Sequence, residues 1–449
     1  MSASSDTPSS KILYSLQDRL PPAQAMAVAF QQLLAMLGGC VTAPLIAASV
    51  VGLSAEDTAY VINMSLFASG IGTLIQVRTI GPLGSGLLTI TGTSFSFIGP
   101  LIAAGQAGGL PMMLGMALVG APVQMILSPI LPKLRTVFSP LVSGIVVLLI
   151  GISLIPTSMR NIAAGLPLQE GQAEWLHLVV AAVVVLVVLV FNGLNRPWAR
   201  MSAVIIGLIS GILLCSTLGV LAWDGGASGG WFTAPVPFKY GLAFSWELLP
   251  TFLFIYLVTT VESIGDLTAT SSISGEPTTG DTYWKRVKGG VFADGFNSAL
   301  AACLNTFPNT TFSQNNGVIQ LTGVASRQIG LIAGGYLILL GLIPAIGSLA
   351  AALPQPVMGG LTLVLFGLIA SAGIRILHNA QLDQRGLVIL ATSLGMGVGV
   401  SAAPQVLEPL PDFAKSLLSS GISTGGLTAL ILNAVMPRHG DKKADDTHA

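Results

Sequence analysis

Three carboxylates, Glu262, Asp266 and Asp294, lie in stretches whose other residues read as membrane-spanning helix. A carboxylate at bilayer depth costs on the order of 2.5–3.5 kcal/mol on insertion scales, and such residues mark substrate or proton pathways. Glu262 and Asp266 are four apart, so a helix presents them on one face. A buried carboxylate can accept two N–H bonds from a planar donor-bearing ligand, and charge-assisted bonds of that kind are the strong ones. A carboxylate that takes up and releases a proton can couple a proton gradient to movement of that ligand. Apart from Arg200, at the edge of one predicted span, no Lys or Arg falls within them to neutralise the three. The other sixteen of the nineteen Asp and Glu residues sit in tails, loops or span edges.

The elements that must position these groups are helices in lipid. The chain has 449 residues, 52% of them hydrophobic and 8% charged. A soluble domain carries about 25% charged residues. Apolar runs recur from Ala23 to Met436 and leave no room for a large soluble domain. The predicted fold class is an all-α polytopic membrane protein. Net charge is zero, so nothing favours nucleic acid as a partner. Residues 1–21 are polar and carry no apolar h-region, so no cleavable signal peptide is expected. Cys40, Cys215 and Cys303 lie in apolar runs without metal-ligand spacing. His177, His378, His439 and His448 lie at span ends or in the tail. No nucleophile–base pair or metal cluster is predicted inside the spans, so an enzyme is not expected. No cofactor is predicted either.

Fourteen spans are predicted, at 23–50, 57–76, 84–104, 110–130, 136–155, 175–192, 200–222, 247–270, 290–305, 311–322, 328–348, 355–374, 386–402 and 420–436. With both termini in the cytoplasm, sixteen of the nineteen Lys and Arg fall inside, and only Arg160, Lys239 and Lys415 fall outside. That asymmetry is the one that sets orientation, and it favours an even number of crossings. The six Trp residues, Trp223 among them, fall in loops or at span ends, as an interfacial belt requires.

Fourteen spans divide into two sevens, and an odd-numbered repeat inverts its second copy. The third span of each half should then match. LLTITGTSFSFIGP (87–100) and NTFPNTTFSQNNGVIQLTG (305–323) both begin Thr-rich and pass through a Thr/Ser-Phe element, Ser94-Phe95 and Thr311-Phe312. Both then become helix-like. Each is predicted to be a short β-segment followed by a half-helix, whose freed backbone donors can bind a ligand.

The string Gln314-Asn315-Asn316-Gly317-Val318-Ile319-Gln320-Leu321-Thr322-Gly323 resembles the signature of the nucleobase–ascorbate transporter family. VESIGDLTATSS (261–272), GGVFADG (289–295), SRQIG (326–330) and SAGIRIL (371–377) are similar to other marked segments of that family. The resemblance runs from about residue 12 to 437 and is strongest to the bacterial xanthine and urate permease branch. It implies a substrate-holding core domain and a gate domain that mediates a homodimer. The corresponding divisions here are 1–135 and 245–350 for the core, 136–225 and 351–437 for the gate, and 438–449 as a cytoplasmic tail. It also implies proton-coupled symport of oxopurines across the plasma membrane, in a bacterium the inner membrane, by elevator-like alternating access. By motif match, Glu262 is the binding carboxylate and Gln314 the motif glutamine. Ser94, Phe95 and Ser313 line the half-helix breaks. Asp294 is the proton-coupling residue, with Asp266 a second acidic position beside Glu262.

The chemistry is consistent on its own terms. A flat oxopurine alternates N–H donors and C=O acceptors, and the Gln314 amide offers both kinds of partner. Phe95 can stack on the ring or simply pack in the core. Asn315 is open between ligand neighbour and cap. Three positions depart from the xanthine-selective pattern: Gln32 where many relatives carry histidine, and Ser94 and Ser420 where Asn is typical. Smaller side chains leave space for the extra oxygen of urate, so xanthine and urate are both expected substrates. The alternatives are another nucleobase, such as uracil or guanine/hypoxanthine, or an anion carrier of the same fold. Glu262 would repel an anion.

Overall fold

The computed structural model describes residues 12–134, 139–166, 175–194, 196–221, 231–380, 382–418 and 420–437. The predicted tail 438–449 and Trp223 lie outside the described residues. Pro22 opens α1 (Pro22–Val50), where a missing N–H costs no helical bond. Ser54 caps α2 (Ala55–Val77) by accepting from the Asp57 amide at 3.0 Å, and Glu56 and Asp57 suit the positive end of its dipole. The chain then leaves helix for β1 (Thr91–Thr93), a 3-10 turn at Phe95–Phe97, and α3 (Ile98–Gly120). α3 breaks at Gly108–Gly109. Gly109 has φ +67° and ψ −159°, a conformation open in practice to glycine alone. The predicted third and fourth segments divide there. α4 (Pro122–Leu127), α5 (Leu131–Leu134), α6 (Pro140–Ala163), α7 (Leu176–Gly193) and α8 (Pro197–Thr217) follow.

The second half begins with α9 (Leu249–Ile273), α10 (Gly280–Cys303), β2 (Asn309–Thr311) and α11 (Gln314–Thr322). α12 (Arg327–Gly341), α13 (Pro344–Ala351), α14 (Gln355–Asn379), α15 (Gln384–Ala402), α16 (Asp412–Leu418) and α17 (Gly421–Val435) complete it. Among the described residues, eight helices are long and apolar enough to cross a membrane, or nine if the bent pair α12–α13 is one span. That pair departs from the single helix expected over 328–348. It bends by 72° where Pro344 starts a new helix. The loop expected at 271–289 is also shorter, because α10 already starts at Gly280. Its first turns carry Lys285, Arg286 and Lys288, and Arg286 meets Glu276 at 2.7 Å. A helix can outlast the apolar stretch that marks it in sequence.

The chain groups into two units: Met1–Pro132 with Ile155–Leu365, and Lys133–Leu154 with Phe366–Ala449. Within the second, Arg385 at the start of α15 donates to the Asn433 carbonyl at 2.7 Å and the Met436 carbonyl at 3.0 Å, tying α15 to the end of α17. These boundaries differ from the core and gate divisions expected from the sequence.

At the centre of the first unit, β1 and β2 pair antiparallel, Thr91 with Thr311, Gly92 with Thr310 and Thr93 with Asn309. Ser94 N–H to the Pro308 carbonyl (2.9 Å) and Phe312 N–H to the Ile90 carbonyl (3.0 Å) extend the ladder at both ends. All six strand residues are buried. The outer edges find hydroxyl partners. Thr73 of α2 accepts from the Thr91 amide at 3.1 Å, and Ser298 of α10 both donates to the Asn309 carbonyl (2.9 Å) and accepts from its amide (3.2 Å). An exposed sheet edge does not survive in an apolar interior without such partners. Gly92 is required at the middle rung, since a Cβ there would meet Cys40 Sγ at 2.7 Å and the Phe312 ring at 2.8 Å.

The register gives the relation of the halves. A shift of 218 residues takes the three residues of β1, Thr91 to Thr93, onto the three of β2, Asn309 to Thr311. Ser94-Phe95 therefore matches Phe312-Ser313 in position, which corrects by one residue the match to Thr311-Phe312 read from the sequence. The Thr/Ser-Phe likeness follows residue type, whereas register follows backbone pairing.

Gly70 of α2 and Gly334 of α12 bring two helix backbones together, and a Cβ on Gly70 would meet the Gly334 carbonyl oxygen at 2.6 Å. Gly70→Ala should therefore destabilise the solubilised protein by about 1–3 kcal/mol in thermal unfolding, through overpacking. Gly335→Ala, whose Cβ meets nothing within 4 Å, should change it by less than about 0.5 kcal/mol. Equal effects would show that this close approach does not limit stability.

Candidate functional site

The α9 helix is apolar on most faces but carries Thr259, Thr260, Glu262, Ser263, Asp266 and Thr270. Its rotation is set from the α3–α4 side. The Tyr256 hydroxyl donates to the Ala117 carbonyl at 2.7 Å, its ring meets Phe97 edge-on at 4.6 Å, and Gln124 donates to Thr259 at 3.2 Å. This turns Glu262 toward the 3-10 turn, where Ser96 Oγ donates to Glu262 Oε2 at 2.8 Å. Glu262 is half-buried, and among the described residues its Oε1 accepts no hydrogen bond. A carboxylate with one oxygen uncommitted in a partly enclosed place can accept from a ligand N–H.

Asp266 is also half-buried, one turn further along the same face. Thr311 Oγ1 lies 3.5 Å from its Oδ2, and Ser313 faces the same carboxylate. Asp294 is different. It is fully buried on α10, and both its oxygens have donors, Gln76 Nε2 at 2.8 Å and Ser263 Oγ at 2.5 Å. The three carboxylates thus fall into a partly open pair on α9 and a closed position on α10.

The motif at α11 splits in two. Ser313, Gln314 and Gly317 are exposed, while Asn315 and Asn316 are buried. Asn315 Nδ2 donates to the Leu88 carbonyl at 2.7 Å, and Asn316 Oδ1 accepts from Thr270 at 2.7 Å. Through its Nδ2, Asn315 ties α11 to the segment that leads into β1, while its buried Oδ1 has no hydrogen-bond partner among the described residues. Ser94 is buried, and its hydroxyl accepts from the Ser96 amide at 3.3 Å, which caps the 3-10 turn. Phe95 is buried, with its ring toward Gly39 of α1, beside Phe312. Gln32 is fully buried in α1, and neither of its amide atoms has a hydrogen-bond partner among the described residues. Ser420 precedes α17 in the second unit. Among the described residues no group of His, Cys, Asp and Glu could hold a metal ion.

Sequence reasoning missed Ser96, Ser263 and Gln76. Ser96 and Ser263 carry no signal, since serine is common in packed membrane helices. Gln76 did carry one: it is a lone amide in the apolar stretch TLIQV (73–77).

Asn315→Ala would orphan the Leu88 carbonyl and should lower thermal stability in the absence of substrate by about 1–3 kcal/mol. Gln314→Ala should leave stability within about 0.5 kcal/mol. The reverse order in a substrate-free melt would make Asn315 the ligand group and Gln314 the tether.

A permease-family model, that of Xan_ur_permease, matches residues 23–406. The xanthine permease XanP of Escherichia coli K12 is 42% identical over 443 residues, covering 96% of each chain. XanQ, a xanthine permease of the same organism, is 42% identical over 439 residues, 95% of this chain and 94% of its own. Among solved structures, the transmembrane domain of the cyanobacterial bicarbonate transporter BicA superposes with a TM-score of 0.55 at 15% identity, covering 90% of this chain and 99% of that one. At such identity the likeness speaks to fold alone.

Proposed function

The chain belongs to the nucleobase–ascorbate transporter family of permeases, and on that premise we propose that it imports oxopurines, xanthine foremost and urate as well, in symport with protons. As a permease it is an integral membrane protein and a transporter rather than an enzyme. Xanthine leads because XanP and XanQ, both named xanthine permeases, align over more than nine-tenths of the chain. Urate joins it because Gln32, Ser94 and Ser420 depart from the xanthine-selective pattern.

The observation that carries the substrate class is Glu262. It is half-buried, held by one serine, with Oε1 uncommitted. A donor-bearing purine edge can supply the N–H groups that this carboxylate lacks. Gln314, exposed at the start of α11, offers a carbonyl and an NH₂ to an amide-like edge. Phe95 supplies an aromatic face. Asp294 serves the proton and Asp266 assists, since Asp294 is closed from the ligand side by its own donors.

The proposed architecture has fourteen segments in two inverted repeats, with both termini cytoplasmic in the plasma membrane. The pairing of β1 with β2 supports the repeat, because strands related by a two-fold axis between them run antiparallel, as these two do. The core domain would move as an elevator against a gate domain through which two copies dimerise.

Glu262→Gln should keep its place beside Ser96 yet lose xanthine uptake by on the order of 100-fold or more, the size of two charge-assisted bonds. Uptake of labelled xanthine by whole cells, with surface expression checked, measures this. Near-normal uptake would remove Glu262 from the site.

Uptake should collapse with a protonophore and ignore a sodium gradient. Asp294→Asn should retain purine binding and lose accumulation against a gradient. Vesicle flux under imposed pH or sodium gradients distinguishes the two ions, and normal accumulation by the variant would assign coupling elsewhere.

A further inference from the structure

Gln76 makes three side-chain hydrogen bonds at the junction of α2 and α10. It is fully buried near the end of α2. Its Nε2 donates to Asp294 Oδ1 and to the Gly290 carbonyl, each at 2.8 Å. Its Oε1 accepts from the Ser85 amide at 3.1 Å, and its backbone carbonyl accepts from Ser85 Oγ at 3.2 Å and from the Gly86 amide at 3.0 Å. One side chain thus joins α10 to the loop that leads into β1.

The surroundings determine which way the amide faces. Its NH₂ has two acceptors and its carbonyl one donor, and a flipped amide would turn its oxygen toward two acceptors. Asp294 Oδ1 is therefore held as an acceptor and cannot carry a proton toward Gln76. Asp294 Oδ2 faces Ser263 Oγ at 2.5 Å, and a hydroxyl can either donate or accept. The Asp294 carboxylate also faces the Thr311 amide, and of its three partners the Ser263 hydroxyl alone can turn from donor to acceptor and receive a proton.

We propose that Gln76 is a positioning residue for the Asp294 proton: it holds Oδ1 as an acceptor and directs the proton to Oδ2, beside Ser263 and next in sequence to Glu262. The same amide ties the charge state of Asp294 to the loop before β1. Other charged or titratable groups on the elements around α10 are few. α9 brings Glu262, Asp266 and Tyr256, and α2 brings Glu56, Asp57 and Tyr60 near its far end. α3, α4 and β2 bring none. No cation from these elements competes with Gln76 for the carboxylate.

The inference rests on the proton-coupling role proposed for Asp294, and its test reads the proton itself as well as transport. The Asp294 carboxyl band is identified in infrared difference spectra of the purified protein by its loss in Asp294→Asn. In Gln76→Met the carboxylate loses one donor. The pH midpoint of that band should rise by about one to two units, a ten- to hundredfold gain in proton affinity. The pH profile of xanthine uptake should move with it, while binding at acid pH stays within about threefold. An unmoved band in a variant that still binds xanthine overturns the proposal. A shifted band with uptake indifferent to pH upholds the role of Gln76 and removes Asp294 from coupling. If Gln76→Met does not reach the membrane, Ser263→Ala reads the same point. With Gln76 intact, a proton on Oδ2 loses its acceptor and the protonated C=O stretch must rise. An unmoved stretch puts the proton on Oδ1 and overturns the assignment.

Discussion

A three-rung antiparallel ladder between β1 and β2 is the constraint on which the rest of the first unit depends. Its backbone groups lie where water is excluded, so each edge needs a donor or acceptor from a neighbouring helix. α2 supplies Thr73 and α10 supplies Ser298. This need explains why hydroxyl residues crowd buried faces of both helices. It explains Gly92 as well, because two strands, Cys40 and Phe312 converge where a Cβ would stand. Each strand ends just before a short helical segment, the 3-10 turn at Phe95–Phe97 after β1 and α11 after β2.

From that arrangement the three carboxylates acquire different chemistry. Glu262 meets the 3-10 turn after β1 and keeps an oxygen open. Asp266 faces the end of β2. Asp294 sits behind the ladder with both oxygens bonded. The signature at α11 is divided by the same geometry: one asparagine ties the helix to the strand before β1, another ties it to α9, and the glutamine between Ser313 and Asn315 is left facing outward.

Fold and function separate in this molecule. The bicarbonate transporter BicA shares the architecture at 15% identity, so the scaffold by itself is indifferent to the sign of the ligand. Assignment to a nucleobase permease therefore rests on the family, not on the shape of the bundle.

The sequence by itself determined that this is a polytopic membrane protein, that Glu262, Asp266 and Asp294 are carboxylates set among apolar helical stretches, and that the third and tenth segments are broken. Those features are local: hydropathy, i to i+4 spacing and Thr- and Gly-rich interruptions are visible in one dimension. Tertiary structure alone decided the strand register, which set Ser94 beside Pro308 and moved the match between the halves by one residue, so that Ser94 corresponds to Phe312. It alone showed that Asn315 is a tether, that Ser96 holds Glu262 and that Gln76 faces Asp294. Each of these is a contact between residues far apart in the chain, between side chains common in packed helices. Only closure of the ladder, with its demand that every buried donor find an acceptor, selects among them.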